Sequence, residues 1–493
     1  MDPWATIAHL SRQDIEDLQN RKLNRFVNQY LYPFSPHYQT LFDQNKIDPK
    51  SIKTTDDLRR IPFSSKLDFV PTPDNQDKAR GFVLQPDKEK IKKFWPPSKT
   101  LPLAVASALK GSGYVQDQLG REFRPTFITF TTGTTNKPVP FLYSRYDIEN
   151  LNISGSRMLR LFNDDPAARI VNMFPFAPHL AFWQVAFGGL ASCVLTLNTG
   201  GGRVLGTEGN IAAIMRMKPS IVLGVPSYIY HVLREAKEKG LNFEFIKTIV
   251  LGASSVTPLF KTKCAELLAS LGANRVAILG TYGFTESRCA WAECWTPPDI
   301  SSGYHLYPDK EIFEIIDPKT GDVKKDGEDG EIVYTSIDAR ASAVIRYRTG
   351  DFVKGGIKYG LCPHCQRHVL SLSTDISRLS DVKDLQLSKI KGSLVNLNNF
   401  GVAISEVPEI DEWQLIIRKK NNDPFEIDEV VVYCSTRDGC DQKSVRDRVR
   451  EKILGYTEVA PNDVCFVSMP EMVKRLEIET ANKEKRVLDE RPK

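Results

Sequence analysis

The stretch "PSIVLGVPSYIYHVLREAKEKG", residues 219–240, joins a short apolar run directly to a helical pattern. The run at 221–223 predicts a buried strand. Ser227 is a candidate cap for the helix that follows, and Gly240 is expected to end that helix. Since α/β proteins alternate strands and helices in this way, the stretch predicts one strand–helix unit of a parallel sheet.

The same arrangement recurs twice downstream. "IKTIVLGASSVTPLFKTKCAELLASLG" (246–272) places Thr257 as a helix cap and Pro258 at the first helical position. "RVAILGTYGFTES" (275–287) is a third strand followed by a polar loop. The alternation predicts an α/β sheet with ligand-binding loops at the carboxyl ends of its strands.

The regions on either side have different patterns. Residues 1–100 are predicted to be a helical or irregular lead-in, in which 71–100 is a polar, proline-rich surface excursion. After about residue 310, strands alternate with Pro-Lys-Thr-Gly and Lys-Asp-Gly turns, which predicts a meander. We therefore predict a large N-terminal α/β domain (1–385) and a small C-terminal α+β domain (386–493).

Composition excludes several classes of protein. The 493 residues are 41% hydrophobic and have a net charge of +5, with no basic stripe for nucleic acid. No apolar run approaches the ~20 residues that span a membrane, so no membrane partner is expected. The first twenty residues lack a secretory signal pattern, and the nine cysteines are spread thinly. We expect a reduced, cytoplasmic protein.

The stretch "TFITFTTGTTNKPVP", residues 126–140, packs small polar residues and a lysine behind an apolar run. Backbone N–H groups, hydroxyls and a cation of this kind can hold a polyphosphate. The common Gly-x-x-x-x-Gly-Lys-[Ser/Thr] loop is absent. On these residues alone, a polar turn between two strands is an equal alternative.

Two further blocks follow in a recognisable order. "YGFTE" (282–286) and "YRTGD" (347–351) resemble motifs of the acyl-adenylate-forming superfamily, which includes acyl-CoA synthetases, peptide-synthetase adenylation domains and luciferases. "AECW" (292–295), "GEIVYTSI" (330–337) and "CPHCQR" (362–367) narrow the resemblance to the phenylacetate–CoA ligase family. The resemblance extends from about residue 15 to the end of the chain.

The resemblance implies a nucleotide site and its residues. Phosphate contacts would come from the 126–140 loop, and Gly252, Ala253 and Ser254 would form the adenine-side loop. Within the motif that begins Tyr282-Gly283, the tyrosine would stack on adenine, while Thr285 would contact the α-phosphate and Glu286 would bind Mg²⁺. Asp351 would accept the ribose hydroxyls, with Arg378 as the hinge residue beside them. The implied loop residues are Thr131, Thr132, Gly133, Thr134, Thr135 and Lys137.

The tail "ANKEKRVLDE" resembles the family's stretch that carries a catalytic lysine. It places Lys483 at that position, although Lys485 is close enough to be the alternative. Asn482 stands where the family has a glycine, and a solvated basic tail is an equal alternative.

Cys362 and Cys365 form a C-x₂-C pair, which is a common half of a zinc site. Some relatives have a structural zinc on such a set, which implies Cys294 and His305 as the other two ligands. His364 or His368 could replace His305 as a ligand, and Cys289 is a less favoured candidate ligand. Two free thiols in a turn are the alternative.

The pattern departs from the family at the hinge, where "SRLSDVKDLQLSKIKG" (377–392) has stretched spacing. Asp381 or Asp384 is the candidate hinge acid. The acid substrate is poorly specified. His179, Trp183 and Gln184 are candidates for an apolar, aromatic acyl pocket, while core packing is the alternative for each.

The resemblance implies an ATP-dependent, AMP-forming carboxylate–CoA ligase for an aromatic or arylacetic acid. Its partners would be the acid, ATP and CoA, with Mg²⁺ and a structural Zn²⁺, and a homodimer is left open. One alternative passes the acyl group to an amine, a carrier protein or another acceptor. The other alternative is a non-catalytic, zinc-stabilised nucleotide-binding protein.

Overall fold

The computed structural model describes most of the chain. The described residues are 4–72, 74–131, 139–162, 165, 167–254, 256–379, 387–390, 393–420, 428–437, 439–457, 459–480 and 484–491. Their α-helices are α1 (Trp4–Ile7), α2 (Arg12–Phe26), α3 (Tyr32–Phe34), α4 (Pro36–Gln44), α5 (Lys88–Phe94), α6 (Pro97–Lys110), α7 (Ser112–Phe123), α8 (Arg145–Phe162), α9 (Leu180–Ala191), α10 (Gly202–Met217), α11 (Pro226–Glu238), α12 (Pro258–Ser270), α13 (Asn398–Ser405), α14 (Gln442–Thr457) and α15 (Met469–Leu476).

The strands lie mostly in the second half of the chain. They are β1 (Pro125–Phe130), β2 (Pro140–Ser144), β3 (Arg169–Asn172), β4 (Leu195–Asn198), β5 (Ile221–Gly224), β6 (Thr248–Leu251), β7 (Ala277–Phe284), β8 (Cys289–Ala292), β9 (Tyr304–His305), β10 (Glu311–Ile316), β11 (Gly330–Ser336), β12 (Tyr347–Val353), β13 (Ile357–Leu361), β14 (His368–Leu372), β15 (Ile376–Arg378), β16 (Leu387–Ile390), β17 (Ser393–Asn396), β18 (Ile410–Lys419), β19 (Asp428–Thr436), β20 (Asp463–Phe466) and β21 (Val487–Asp489).

A six-stranded sheet of order β4-β3-β5-β6-β7-β8 forms the centre of the molecule. Its first five strands are parallel, and β8 returns antiparallel to β7. All four residues of β5 and of β6 are buried, because helices cover both faces of the sheet. The predicted α/β alternation therefore produces a parallel sheet whose strand ends point to one edge.

Antiparallel sheets follow, as the turn signals predict. Strands β10, β11, β12 and β15 form a four-stranded antiparallel sheet in that order. Strands β13, β14 and β9 form a second, three-stranded sheet. Both pack with the N-terminal helices around one hydrophobic core.

The C-terminal residues have a core of their own, formed between Leu397 and Val464. Its sheet has the order β20-β19-β18-β21, with α13 and α14 packed against it. In contrast, Met472, Val473 and Leu476 of α15 pack into the core of the central sheet. The predicted domain boundary at 385/386 lies outside the described residues.

Two local predictions were wrong. Ser227 does not cap α11, because Pro226 takes the first helical position and Val225 is the capping residue. Residues 71–100 are not wholly a surface excursion, because Phe82, Leu84 and Trp95 are buried in the N-terminal core, and the range also includes α5 and the start of α6. The Asp87 side chain caps α5 by accepting the Lys90 N–H at 2.8 Å.

Candidate active site

The carboxyl ends of β6 and β7 bring two of the predicted motifs together. Gly252 follows β6, and a Cβ at this position would clash with the Thr281 hydroxyl of β7. Ala253 has a positive φ of 67°, a backbone conformation that turns the chain sharply away from the strand. Thr285 and Glu286 lie in the short turn directly after β7. The adenine-side loop and the Thr-Glu motif therefore occupy the same edge of the sheet.

Asp351 connects three parts of the predicted nucleotide site. The Tyr282 hydroxyl donates to Asp351 Oδ2 at 2.7 Å. Arg378 Nη1 lies 3.0 Å from Asp351 Oδ1, because β12 and β15 pair these two residues directly. Burial raises the pKa of Tyr282 well above its ordinary value, and the neighbouring Asp351 carboxylate raises it further. The phenol is therefore a stable hydrogen-bond donor at neutral pH.

Glu286 has a partner that the sequence analysis did not assign to the site. The Tyr347 hydroxyl donates to Glu286 Oε1 at 2.6 Å. Burial raises the pKa of Glu286, while the hydrogen bond from Tyr347 opposes that shift. Tyr347 is the first residue of the "YRTGD" block, so its position in that motif was the available signal.

The base of the predicted phosphate loop is well defined. Thr131 donates its N–H to the Val139 carbonyl at 3.0 Å, and its hydroxyl accepts the Val139 N–H at 3.1 Å. The Phe130 carbonyl lies 3.0 Å from His179 Nδ1 and 3.5 Å from the Thr285 hydroxyl. The loop therefore starts beside the Thr-Glu motif. Its other predicted residues, Thr132, Gly133, Thr134, Thr135 and Lys137, and Asn136 with them, lie outside the described residues.

The candidate acyl-pocket residues have packing roles as well. Trp183 packs in an aromatic group with Phe127, Phe176, Phe182 and Phe187, with ring centres 5.1–5.8 Å from its own. Its indole N–H donates to the Ala177 carbonyl at 3.1 Å.

Gln184 is 1% exposed and donates to the Ser154 hydroxyl at 3.2 Å. Its side-chain oxygen has no hydrogen-bond partner among the described residues. His179 instead contacts the base of the phosphate loop.

The C-terminal tail reaches the carboxyl edge of the central sheet. Glu479 accepts a hydrogen bond from Thr207 of α10 and lies 3.5 Å from His231 Nε2 of α11. Ile478, Glu479 and Glu484 line a small cavity whose other walls include Gly201 and Tyr228.

Lys483 lies outside the described residues. Glu484, which follows it directly, and Glu479, four residues before it, both line this cavity at the sheet edge. Lys485 is exposed and pairs with Glu477 at 2.6 Å.

Cys294, His305, Cys362 and Cys365, hereafter the Cys/His cluster, bring four donor atoms together. These atoms all lie within 4.8 Å of one another. Cys294 Sγ is 3.6 Å from Cys362 Sγ, and His305 Nε2 is 3.2 Å from Cys365 Sγ. Cys294 and His305 are fully buried, so three thiols and an imidazole converge on one enclosed point.

The local backbone explains how the Cys/His cluster forms. Cys362 and Cys365 lie in the turn between β13 and β14, and β14 pairs with β9, which carries His305. Gln366 has a φ of 58°, so it adopts the left-handed backbone conformation in the turn that follows Cys365. Among the described residues, neither His364, His368 nor Cys289 belongs to the cluster.

The fold is that of an α/β protein in which the predicted nucleotide-site residues lie together at one edge of the central sheet. Residues 53–338, more than half of the chain, match the family of AMP-binding enzymes. The chain belongs to that family, which confirms the predicted superfamily and enzyme class.

Curated relatives and solved structures agree with this assignment. The chain is 23% identical to a phenylacetate–coenzyme A ligase of Thermus thermophilus over 83% of this chain and 80% of that protein. It is 27% identical to the phenylacetate–coenzyme A ligase of Aromatoleum evansii over 71% and 68% of the two chains. A 2-hydroxyisobutyryl-CoA ligase in its postadenylation state has a TM-score of 0.72 at 16% identity, covering 99% of this chain and 92% of its own. The predicted fold is confirmed.

No helix in the described ranges combines the length and the apolar character that crossing a membrane requires.

Proposed function

We propose that this chain is an ATP-dependent, AMP-forming carboxylate–CoA ligase. The acid's carboxylate oxygen attacks the α-phosphorus of ATP, and pyrophosphate leaves. The CoA thiol then attacks the acyl carbon of the acyl-adenylate, AMP leaves, and a thioester is formed. The single observation that carries the proposal is the meeting of Tyr282, Asp351 and Arg378 beside Thr285 and Glu286 at one sheet edge.

The chemistry of these side chains suits adenosine and its phosphates. An ionised carboxylate only accepts hydrogen bonds, so Asp351 can take both ribose hydroxyls, and Arg378 holds it from the side. Tyr282 offers its ring to adenine while its hydroxyl is anchored on Asp351. Thr131, the described start of the phosphate loop, lies at the same edge as Thr285 through the Phe130 carbonyl. The rest of the loop, Lys137 included, would meet the β- and γ-phosphates.

Glu286 fits the role of a magnesium ligand. A carboxylate oxygen is the donor that Mg²⁺ prefers, and Glu286 is held in place by Tyr347. Burial disfavours its ionised form, so a cation would relieve an existing cost. Bound Mg²⁺ would offset the charge of the phosphates.

We propose an aromatic or arylacetic acid as the substrate. The aromatic group around Trp183 includes Phe127 of β1, and the carbonyl of the last residue of β1 contacts His179. Such walls favour an apolar acyl group. The side-chain oxygen of Gln184, which has no hydrogen-bond partner among the described residues, could offer the acid one polar contact.

Lys483 is proposed as the lysine that meets charge developing on the carboxylate and the α-phosphate. Its support is the placement of Glu479 and Glu484 along the cavity at the sheet edge. We further propose that residues 386–493 turn as a unit between the two half-reactions, with the hinge near Arg378. The cytoplasmic location is proposed because all nine cysteines are free thiols.

The Cys/His cluster is proposed to bind one structural zinc. Three thiols and one imidazole, with their donor atoms within 4.8 Å of one another, are the kind of four-ligand set that a structural zinc site uses. Hydrogen bonding with Cys294 lowers the pKa of the Cys362 thiol, which favours the thiolate that zinc binds. The ion would join β9 to the β13–β14 turn.

A second candidate changes the acceptor and keeps the adenylation step. An indoleacetate–lysine synthetase of Pseudomonas savastanoi is 25% identical over 47% of this chain and 54% of its own. This relative favours an amine as the alternative acceptor.

The test separates the two candidates by measuring AMP release. The protein is incubated with ATP and a panel of aryl, short-chain and fatty acids, with and without CoA. The ligase requires CoA for stoichiometric AMP release and forms a thioester. If AMP is released equally without CoA but rises with an added amine, the acceptor is an amine and the ligase proposal is wrong.

A further inference from the structure

Helices α5 and α6 form an exposed surface that the nucleotide site does not use. No residue of α6 is buried, although the helix is mostly apolar. Leu101, Val105 and Leu109 follow one another at four-residue spacing and are 63%, 56% and 79% exposed. Because residues spaced by four lie on one helix face, these side chains form a single outward apolar stripe. Hereafter this stripe is called the α6 stripe.

The opposite side of α6 explains why the α6 stripe points outward. Leu103 is half-buried and packs, with Ile91 of α5 and Leu119 of α7, against the N-terminal core. Gly111, with a φ of 84°, turns the chain between α6 and α7. The most exposed residue of the stripe, Leu109, therefore lies next to the tip of this helical hairpin.

The segment that carries the stripe also carries the excess charge of the chain. Between Lys88 and Lys110 there are six lysines and one glutamate, an excess of five positive charges. The whole chain has a net charge of +5, so the remaining residues are neutral overall. Lys88, Lys92, Lys93 and Lys110 are exposed.

Acidic side chains in the described ranges do not neutralise these lysines. None of the exposed four forms an ion pair within the described part of the chain. Lys110 Nζ instead lies 4.5 Å from the ring centre of Tyr114, beside the turn. Exposed apolar side chains on α6, with exposed lysines on the preceding helix and at the end of α6 that form no ion pair among the described residues, match the composition of helices that lie in a membrane interface.

We propose that the α6 stripe and its flanking lysines dock on the surface of an anionic lipid bilayer. Leu101, Val105 and Leu109 enter the headgroup region, while Lys92 and Lys93 remain at the anionic surface. A second copy of the chain fits less well, because it would bring two clusters of five positive charges together. This contact is peripheral and needs no spanning helix.

The test is vesicle co-flotation of the full chain. One vesicle population is phosphatidylcholine, and the other contains about 30% phosphatidylglycerol, an anionic lipid. The protein is expected to float with the anionic vesicles at low salt, and to be released at high salt. Absence of flotation with the anionic vesicles at low salt overturns the proposal.

Two variants separate the apolar and charged contributions. One is the triple variant Leu101→Ser/Val105→Ser/Leu109→Ser, and the other is the double variant Lys92→Glu/Lys93→Glu. Each is expected to bind the anionic vesicles at least about tenfold more weakly than the wild type does. The matched control is Lys319→Glu/Lys325→Glu, which makes the same charge change at exposed positions of the β10–β11 turn. The control is expected to bind like the wild type, and an equal loss in the control overturns the proposal.

Other occupants of the α6 stripe give different results. If the wild type is a dimer that the serine variant converts to a monomer, without vesicle binding, the stripe is a self-association surface. If the wild type binds polyglutamate as tightly as it binds the anionic vesicles, and the serine variant still binds polyglutamate and the vesicles as the wild type does, the partner is an acidic protein. Either result overturns the lipid proposal. Thermal unfolding of each variant checks that the fold is intact.

Discussion

The nucleotide site and the Cys/His cluster both concentrate polar groups, but they arrange them in opposite ways. At the nucleotide site, Tyr282, Arg378 and Tyr347 are paired with the carboxylates of Asp351 and Glu286. In the Cys/His cluster, four donor atoms converge on one buried point. We propose that the first arrangement keeps carboxylates oriented for a nucleotide that enters and leaves, and that the second encloses a zinc ion.

The difference predicts which changes affect catalysis and which affect stability. Changes at the nucleotide site are expected to slow adenylation without lowering the melting temperature. Changes in the Cys/His cluster are expected to lower the melting temperature and to release metal.

The largest effect is expected from Lys483→Ala. Loss of a cation that meets developing charge should slow acyl-adenylate formation by about 10²–10³-fold. Lys485→Ala is the matched control, since Lys485 pairs with Glu477 in the tail, and its effect should be at most a few-fold. Single-turnover formation of the adenylate is measured. Equal losses in the two variants would remove Lys483 from the site.

The next effect is expected from Glu286→Gln, which should slow adenylation by roughly 10²-fold through loss of the metal ligand. Its melting temperature should be unchanged or higher at neutral pH. The reason is that burial raises the pKa of Glu286, so the ionised carboxylate weakens the folded state. The amide oxygen can still accept the Tyr347 hydroxyl. A lower melting temperature with normal adenylation would assign Glu286 to structure.

Cys362→Ser is expected to break the Cys/His cluster. About one zinc per chain should be found in the wild type and much less in the variant, and the melting temperature should fall by several degrees. Cys465→Ser is the control, because Cys465 is a half-buried thiol outside the cluster. Metal analysis and thermal unfolding are measured together. Equal zinc content in the wild type and the variant would contradict the zinc proposal.

The last prediction concerns stability alone, at a buried carboxyl outside both regions. Burial raises the pKa of Glu311 from its ordinary 4.5 to about 8. The hydrogen bonds that the Tyr307 N–H and the Trp291 indole donate to Glu311 lower the pKa and offset only part of this shift. The folded state therefore keeps a proton that the unfolded state loses, and stability should decrease as pH rises from about 4.5 to about 8.

Glu311→Gln removes this proton linkage. The melting temperature of the variant, relative to that of the wild type, should therefore increase as the pH rises over that range. A difference of 1 kcal/mol corresponds to about 2–4 °C in a domain of moderate size. If the melting temperatures of the two proteins change with pH in the same way, Glu311 does not titrate as proposed.

The fold could be predicted well from local patterns. Pro258 and Thr257 start α12 as expected, because the Thr257 hydroxyl accepts the Phe260 N–H at 3.2 Å. Ser227 was misassigned because a proline at the first helical position competes with a cap one residue later. The helix α5 was missed, although Asp87 before a run of helix formers was a readable cap signal.

The site could be predicted only through the family resemblance. Nothing local in the sequence pairs Asp351 with Arg378, since the pairing of β12 with β15 brings them together. The choice of His305 over His364 and His368 likewise depends on the pairing of β9 with β14. Contacts set by strand pairing across long sequence separations are not encoded in any short motif.

The central claim is that the chain forms an acyl-adenylate at the Tyr282–Asp351–Arg378 site. The most direct measurement is the acid-dependent exchange of labelled pyrophosphate into ATP, in the absence of CoA, over a panel of acids. The account predicts exchange with an aromatic or arylacetic acid and its loss in Glu286→Gln. Absence of exchange with every acid, in a protein that still binds ATP, would contradict it and favour a nucleotide-binding protein without catalysis.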